Sequence, residues 1–383
     1  MIKYRCLIPR SWRSVSGCQQ ARPLAPSGVR KRGFAITSLE TGCGEPQNYI
    51  ESEKWYRLAA NQGLREAQHN LGVLLLDGKG VQKNEKDAIK WINKAARQDC
   101  VEAQFALGVL YDGGQVVMQN YRLAFYWYKK AAEHGHSVAQ YNLSFAYGQA
   151  LGVDQDDVLA FSWCKKSAEQ GYREAEYCLG MLYDTGKGVV KDYKKAKQWY
   201  LKAASRGHKV AQCNLATMLN DGVGGDKDLQ QAFSWYKKSA EQNFPNAQHE
   251  LGRMYRFGLG TSKNEIEAVQ WYKKAAEQGF ALAEFDLALC YADGIGVKKN
   301  YSEMVKWLKL AAQHGNTQAQ LELGGCFEVG VKDANGHVVV PIDLKTALEW
   351  YQKAKVNGCD SVNGCDSAVI DKCIDRIRKQ VSD

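Results

Sequence analysis

Residues 271–279 read WYKKAAEQG. Near-copies stand at 127–135 (WYKKAAEHG), 163–171 (WCKKSAEQG) and 235–243 (WYKKSAEQN). Their spacing is 36 residues or a multiple of it. With Ala67 as position 0 and a step of 36, alanine returns at 103, 139, 175, 211, 247, 283 and 319. Position 4 is always leucine: Leu71, Leu107, Leu143, Leu179, Leu215, Leu251, Leu287 and Leu323. Position 24 is tryptophan at Trp91, Trp127, Trp163, Trp199, Trp235, Trp271 and Trp307; in the eighth unit seven inserted residues delay it to Trp350. A fixed period of this length marks stacked supersecondary units.

Each unit reads as two helices. Ala175, Leu179 and Tyr183, at positions 0, 4 and 8, share one face of the first helix. Glycines such as Gly186 and Gly188 then break it. Position 17 is Asn or Asp (Asn84, Asn120, Asp156, Asp192, Asp228, Asn264, Asn300), an N-cap whose side chain accepts from the free amides of the next helix. The second helix carries Ala196, Trp199, Ala203 and Ala204 inward; the alanines permit close approach and the tryptophan is expected to fill the space between units. Gly207 and its equivalents end that helix, and Pro245 suits the first turn of the one that follows. In the quoted stretch Trp271, Ala275 and Ala276 face inward, and Lys273, Lys274, Glu277 and Gln278 form a solvated face. Packing explains such repetition; a reaction has no use for nine-residue copies in every unit.

The pattern A-xxx-L-G-xx-Y-xx-G-x-G-V followed by A-xx-W-Y-xKAA-xx-G resembles the Sel-one-like repeat (SLR) family, relatives of the tetratricopeptide repeat, over residues 48–358. Ser144, Ala216 and Ala288 depart from it at the position-5 glycine, and Met304 at the position-21 alanine. The resemblance implies an all-α, right-handed α-solenoid, a superhelix of antiparallel helix pairs with about eight and a half units, that binds other proteins. The chain divides accordingly into a basic leader (1–47), a half repeat (48–66), eight units (67–358, with an insertion near 331–342) and a C-terminal cap (359–383). Within the insertion Asn335-Gly336 lies between valine-rich flanks and reads as a small hairpin. The hexamer VNGCDS occurs twice at 356–367 and reads as loop length. A terminal helix over 366–381 turns Val369, Ile370, Cys373, Ile374 and Ile377 inward, as repeat stacks need caps.

Charge is uneven. Net charge is +9, yet residues 1–39 carry eight basic residues and no acid, which leaves about +1 beyond them. The body therefore lacks the basic excess that tracks nucleic-acid phosphates. No apolar run is long enough to span a membrane. The leader is Arg-rich, Ser-containing and free of acid, which fits a mitochondrial transit peptide, although Pro9 interrupts any amphipathic helix there. Arg32-Gly-Phe-Ala35 resembles a presequence cleavage site. Mitochondrial localisation is the expectation; a cytoplasmic protein with a basic tail is the alternative.

The motifs of chemistry do not assemble. Ser162-Trp-Cys-Lys165 and Ser234-Trp-Tyr-Lys237 match S-x-x-K, but no S-D-N or K-T-G follows. Asp184-Thr-Gly-Lys-Gly188 lacks the spacing of a phosphate loop. There is no H-E-x-x-H, and the seven histidines are scattered; His134 and His314 share a helix-end position near free carbonyls. The twelve cysteines form no C-x-x-C and read as small buried hydrophobes. Some SLR proteins have been assigned β-lactamase activity, but their cysteines pair within each unit, and this chain lacks that pairing. No catalytic residue, metal or cofactor is assigned. The expected function is a non-enzymatic scaffold or adaptor for proteins or peptides, with a mitochondrial assembly factor or stress-signalling adaptor as a narrower version and a hydrolase as a rival. Oligomeric state is left open. By the tetratricopeptide resemblance the first helix of each unit lines a concave binding face. The candidate residues there are Phe105, Tyr141, Tyr177, His249 and Phe285 at position 2, Asn142 and Asn214 at position 3, and Arg253 and Arg256. Position 2 reads equally well as half-buried packing between units.

Overall fold

The computed structural model describes residues 48–78, 81–358 and 367–382. The leader, its cleavage-site resemblance and most of the doubled hexamer lie outside them. The described residues form eighteen helices and one two-stranded hairpin. In chain order the helices are α1 (Tyr49–Asn61), α2 (Arg65–Asp77), α3 (Glu85–Ala96), α4 (Val101–Gly113), α5 (Tyr121–Glu133), α6 (Ser137–Gln149), α7 (Asp157–Glu169), α8 (Arg173–Thr185) and α9 (Tyr193–Ser205). There follow α10 (Lys209–Asp221), α11 (Leu229–Glu241), α12 (Pro245–Phe257), α13 (Glu265–Ala276), α14 (Ala281–Asp293), α15 (Tyr301–Gln313), α16 (Thr317–Val329), α17 (Leu344–Val356) and α18 (Ser367–Ser382). The arrangement is an all-α solenoid of helix pairs. It falls into two compact units, one reaching Leu182 and including Gly186–Val190, the other made of Tyr183–Thr185 and the chain from Lys191.

The boundaries follow local chemistry. Each position-17 side chain accepts from the first turn of its helix, as Asn264 does from the Glu267 amide at 3.1 Å and Asp228 from Gln231 at 2.9 Å. The backbone N–H of the same residue donates to the carbonyl at position 8, as in Asn264 to Tyr255 at 2.8 Å, and closes the loop between the helices. First helices end on a left-handed residue such as Gly258 (φ 69°). Two residues on, Gly260 (φ 66°) sits so close to the Leu229 carbonyl of the preceding unit that a Cβ would overlap it. Gly296 meets the Glu265 carbonyl in the same way.

The helix faces differ from expectation at one position. The residue that fills the interior is the tyrosine after the tryptophan: Tyr200, Tyr236 and Tyr272 are among the largest fully buried side chains. In the units of Tyr128, Tyr272 and Tyr351 its ring lies over the position-5 glycine; a Cβ on Gly252 would come within 2.7 Å of Tyr272, and one on Gly324 within 2.6 Å of Tyr351. Most of the tryptophans are only half-buried. Six of them, Trp91, Trp163, Trp199, Trp235, Trp271 and Trp350, are roofed by the lysine three residues on, with Lys274 Nζ 3.7 Å from the Trp271 ring centre and Lys202 Nζ 3.7 Å from Trp199. The tryptophan does not fill the interior because a large ring with a polar N–H gains from keeping one edge wet.

Gln278 is exposed, as expected, but it also takes part in a bridge: its Nε2 donates to Gln248 Oε1 at 2.7 Å. Gln248 is buried and its own Nε2 donates to the Ala240 carbonyl of the preceding unit at 3.2 Å. The same bridge recurs at Gln68 to Ala60 (3.1 Å), Gln140 to Ala132 (3.1 Å), Gln212 to Ala204 (3.0 Å) and Gln320 to Ala312 (2.9 Å). A buried amide at position 1 thus ties the end of one second helix to the next.

Near the C-terminus, β1 (Val331–Lys332) and β2 (Val338–Val340) pair antiparallel around Gly336 (φ 83°). Helix α18 packs on α17 through Ile370, Ile374 and Ile377. Val369 points outward at 44% exposure, contrary to expectation, because the buried stripe follows steps of four and three from Ile370. Arg376 clamps Glu328 at 2.6 and 2.7 Å.

These faces predict distinct stabilities in urea unfolding. Leu179→Ala should cost about 2–5 kcal/mol by cavity formation. Gln248→Leu should cost about 1–3 kcal/mol, because the buried Ala240 carbonyl loses its amide donor. Lys273→Ala, on the open face, should stay within about 0.5 kcal/mol.

Candidate functional site

The first-helix side is built from positions 2, 3, 6 and 9, which the helical period sets on one stripe. Position 2 proves to be a joint as well as a surface. Phe105 stacks on His136 at 4.3 Å between ring centres, and Tyr141 meets Tyr172 edge-on at 5.4 Å. His249 packs against Phe280 at 5.5 Å and Tyr272 at 5.7 Å. His136, Tyr172 and Phe280 are each the residue just before the next unit's first helix. Phe105, Tyr141 and Phe285 remain half-buried, and so do Asn142 and Asn214 beside them. Tyr177 and His249 are buried, at 8% and 5% exposure, so neither can anchor an incoming chain as an open side chain would. The reason is steric: a ring wedged between consecutive first helices is covered when both neighbours are bulky.

In the second compact unit the stripe becomes ionic. His249 Nε2 lies 2.7 Å from Asp286, and His249 Nδ1 lies 3.5 Å from Glu250. Arg253 bonds Glu250 at 3.1 Å, and Arg256 approaches Asp286 at 3.7 Å. Glu250 and Asp286 were not among the sequence candidates. Their signal was the change at position 3 from Asn to acid, opposite the two arginines. Burial works against a charge on His249, but the hydrogen bonds to Asp286 and Glu250 outweigh it and hold its pKa above the usual histidine value. Burial likewise opposes the Glu250 charge, yet His249 and Arg253 bring its pKa below the usual range. At position 9, Asp112 and Asp184 accept from the Tyr128 and Tyr200 hydroxyls at 3.2 and 3.3 Å, and Glu328 accepts from Tyr351 at 2.7 Å. Arg256 occupies that position in its unit, so Tyr272 has no carboxylate there to donate to.

The remaining sequence motifs are structural. Lys165 pairs with Glu169 at 3.8 Å on the outer face of α7. Gly186 and Gly188 are left-handed loop residues, and Lys187 reaches Asp157 at 3.4 Å. His134 Nδ1 binds the Lys130 carbonyl at 2.8 Å, whereas His314 pairs with the buried Glu284 at 2.9 Å instead of a carbonyl. Among the described residues no group of three or more His, Cys, Asp and Glu is placed to hold a metal ion, and no helix is long and apolar enough to cross a membrane.

The Sel1 repeat model matches nine consecutive stretches: 38–64, 65–100, 101–136, 137–172, 173–208, 209–244, 245–280, 281–316 and 317–355. The chain belongs to the Sel1 repeat family. It is similar in structure to an SLR-fold protective antigen present in uropathogenic Escherichia coli strains, with 30% identity, coverage of 92% of this chain and 80% of that one, and a TM-score of 0.65. A Sel1 repeat protein from Oxalobacter formigenes is 28% identical over 90% of this chain and 96% of its own, with a TM-score of 0.63. No curated protein matches. Sel1 repeat proteins generally mediate protein–protein interactions, and the family is typically a non-enzymatic scaffold.

The ionic stripe predicts a pH dependence. A histidine pKa raised by folding contributes stability that is complete below the unfolded pKa and is lost as pH rises through the folded one. Circular-dichroism melts of wild type and Asp286→Asn should therefore differ most below about pH 6.5, with wild type the more stable, and converge as pH rises. A wild-type advantage that grows toward alkaline pH would contradict the His249–Asp286 pairing.

Proposed function

We propose that this Sel1 repeat chain is a scaffold that captures extended segments of partner proteins along its first-helix side. The supporting observation is the run Phe105, Tyr141 and Asn142: two aromatic rings held by neighbours yet half-open, with a primary amide next to one of them. Rings already fixed by packing lose little side-chain entropy on binding, and aromatic anchors are frequent interface hot spots. The asparagine offers both a donor and an acceptor to a peptide backbone. We propose further, from the acid-free basic composition of residues 1–39, that the protein is directed to mitochondria.

Tyr141→Ser combined with Asn142→Ala should weaken capture of a partner isolated with the wild-type chain by more than about tenfold, or roughly 1.4 kcal/mol. Circular dichroism should show the helices retained. Unchanged binding by a folded double variant would place the binding surface elsewhere. For the leader, N-terminal sequencing of protein recovered from mitochondria should begin near Phe34 or Ala35; an intact Met1 on organelle-free protein would refute the targeting proposal.

A further inference from the structure

The contacts of α7 with α6 on one side and α8 on the other depart from their counterparts at four places. Position 25, tyrosine or another bulky apolar residue in the other units, is Cys164. Position 5, often glycine under that ring, is Ser144, whose hydroxyl donates to the Ala160 carbonyl at 2.6 Å. Position 1, glutamine at the bridged joints, is Glu176, which puts a carboxylate where those joints have an amide donor. Position 3, asparagine at Asn70, Asn142 and Asn214, is Cys178. The two cysteines face each other. Cys164 is completely buried and its Sγ donates to the Ala175 carbonyl at 3.5 Å. Cys178 lies three residues beyond Ala175, one turn along the same face of α8, which brings its side chain beside the Cys164 thiol that reaches the Ala175 carbonyl. Cys178 is half-buried, so a small reagent can reach it.

We infer that Cys164 and Cys178 form a dithiol that closes to an intrachain disulfide on exchange with a small disulfide such as oxidised glutathione. Exposure sets the order of events. The Cys178 thiolate attacks one sulfur of oxidised glutathione; the glutathione S–S bond breaks, and one glutathione leaves with the electron pair and takes up the proton Cys178 has lost. Cys164 then gives up its proton and attacks the Cys178 sulfur. The mixed disulfide breaks, and the second glutathione leaves and takes up that proton. Two protein thiols lose two electrons, and one glutathione disulfide becomes two glutathione thiols. Contact with Cys178 and burial hold the Cys164 pKa well above the usual thiol value, which suits a resolving thiol better than a first attacker. The bond would tie α7 to α8 where the ring contact and the amide donor have both been replaced. It would also lie on the stripe that carries Tyr141 and Asn142. The inference stands independently of the proposed partner surface.

The test uses the full chain in buffers of increasing oxidised-to-reduced glutathione ratio. Samples are alkylated, digested and mapped by mass spectrometry. The expected result is a Cys164 peptide joined to a Cys178 peptide with loss of two hydrogens, accumulating with oxidation and reversed by dithiothreitol. The oxidised wild type should also melt higher than the reduced form, and Cys178→Ser should abolish that difference. The serine variant replaces a half-buried thiol by a near-isostere and keeps the comparison available even if Cys164→Ser fails to fold. Alkylated Cys164 at every ratio, or Cys178 carrying only glutathione in the most oxidising buffer, would overturn the inference.

Discussion

The architecture depends on one close contact, the position-25 ring lying over the position-5 glycine of the same helix pair. Without a Cβ at Gly252 or Gly324, the first helix admits Tyr272 or Tyr351 against its backbone. The glycine weakens the helix by about 1 kcal/mol relative to alanine, a cost that the buried ring offsets. Where the glycine is lost, the partner often changes with it. Ser144 faces Cys164, and Ala288 shares its unit with Leu308, while Ala216 keeps Tyr236 and gives the hydroxyl Thr217 to bond at 2.9 Å. Once each pair is closed in this way, the position-13 glycine and the position-1 glutamine determine how it meets the pair before it.

Much of this was legible as periodicity. The caps at Asn264 and Asp228, the left-handed glycines and the buried leucines are local choices that repeat, and local chemistry dictates them. The misreadings concern residues whose chemistry permits two placements. Tryptophan and tyrosine stand side by side, both aromatic, and only the glycine opposite decides which goes inside. Gln278 is the surface residue it looks like, but its bond to Gln248, thirty residues earlier, shows only in the fold. That partnership could have been read from the units themselves, since Glu284 stands at position 1 where the position-31 residue is His314 rather than glutamine.

The candidate surface was legible as a stripe but not as a gradient. One position serves as joint and as surface, and the balance shifts with the neighbours. Phe105 and Tyr141 keep part of each ring open, whereas His249 is enclosed by Phe280, Tyr272 and two carboxylates. The first compact unit thus presents rings and amides where the second presents paired charges. Such variation on a constant frame allows one fold to distinguish partners, because packing residues recur while the stripe is free to differ.

The glycine at position 13 has a consequence for how such a gene can change. Five inter-helix loops are seated on a first-turn carbonyl of the unit before, as Gly260 is on Leu229 and Gly296 on Glu265. A stray insertion within the array would lift a loop from its seat and unsettle the joint beneath. Whole repeats, by contrast, can be gained or lost by recombination between similar copies, because every new neighbour offers the same carbonyl. The last unit is built differently: β1 and β2 replace the glycine loop, and β2 rests against α15. There the extra residues found a seat of their own, and the helix that follows them, α17, packs against α18 through Ile370, Ile374 and Ile377.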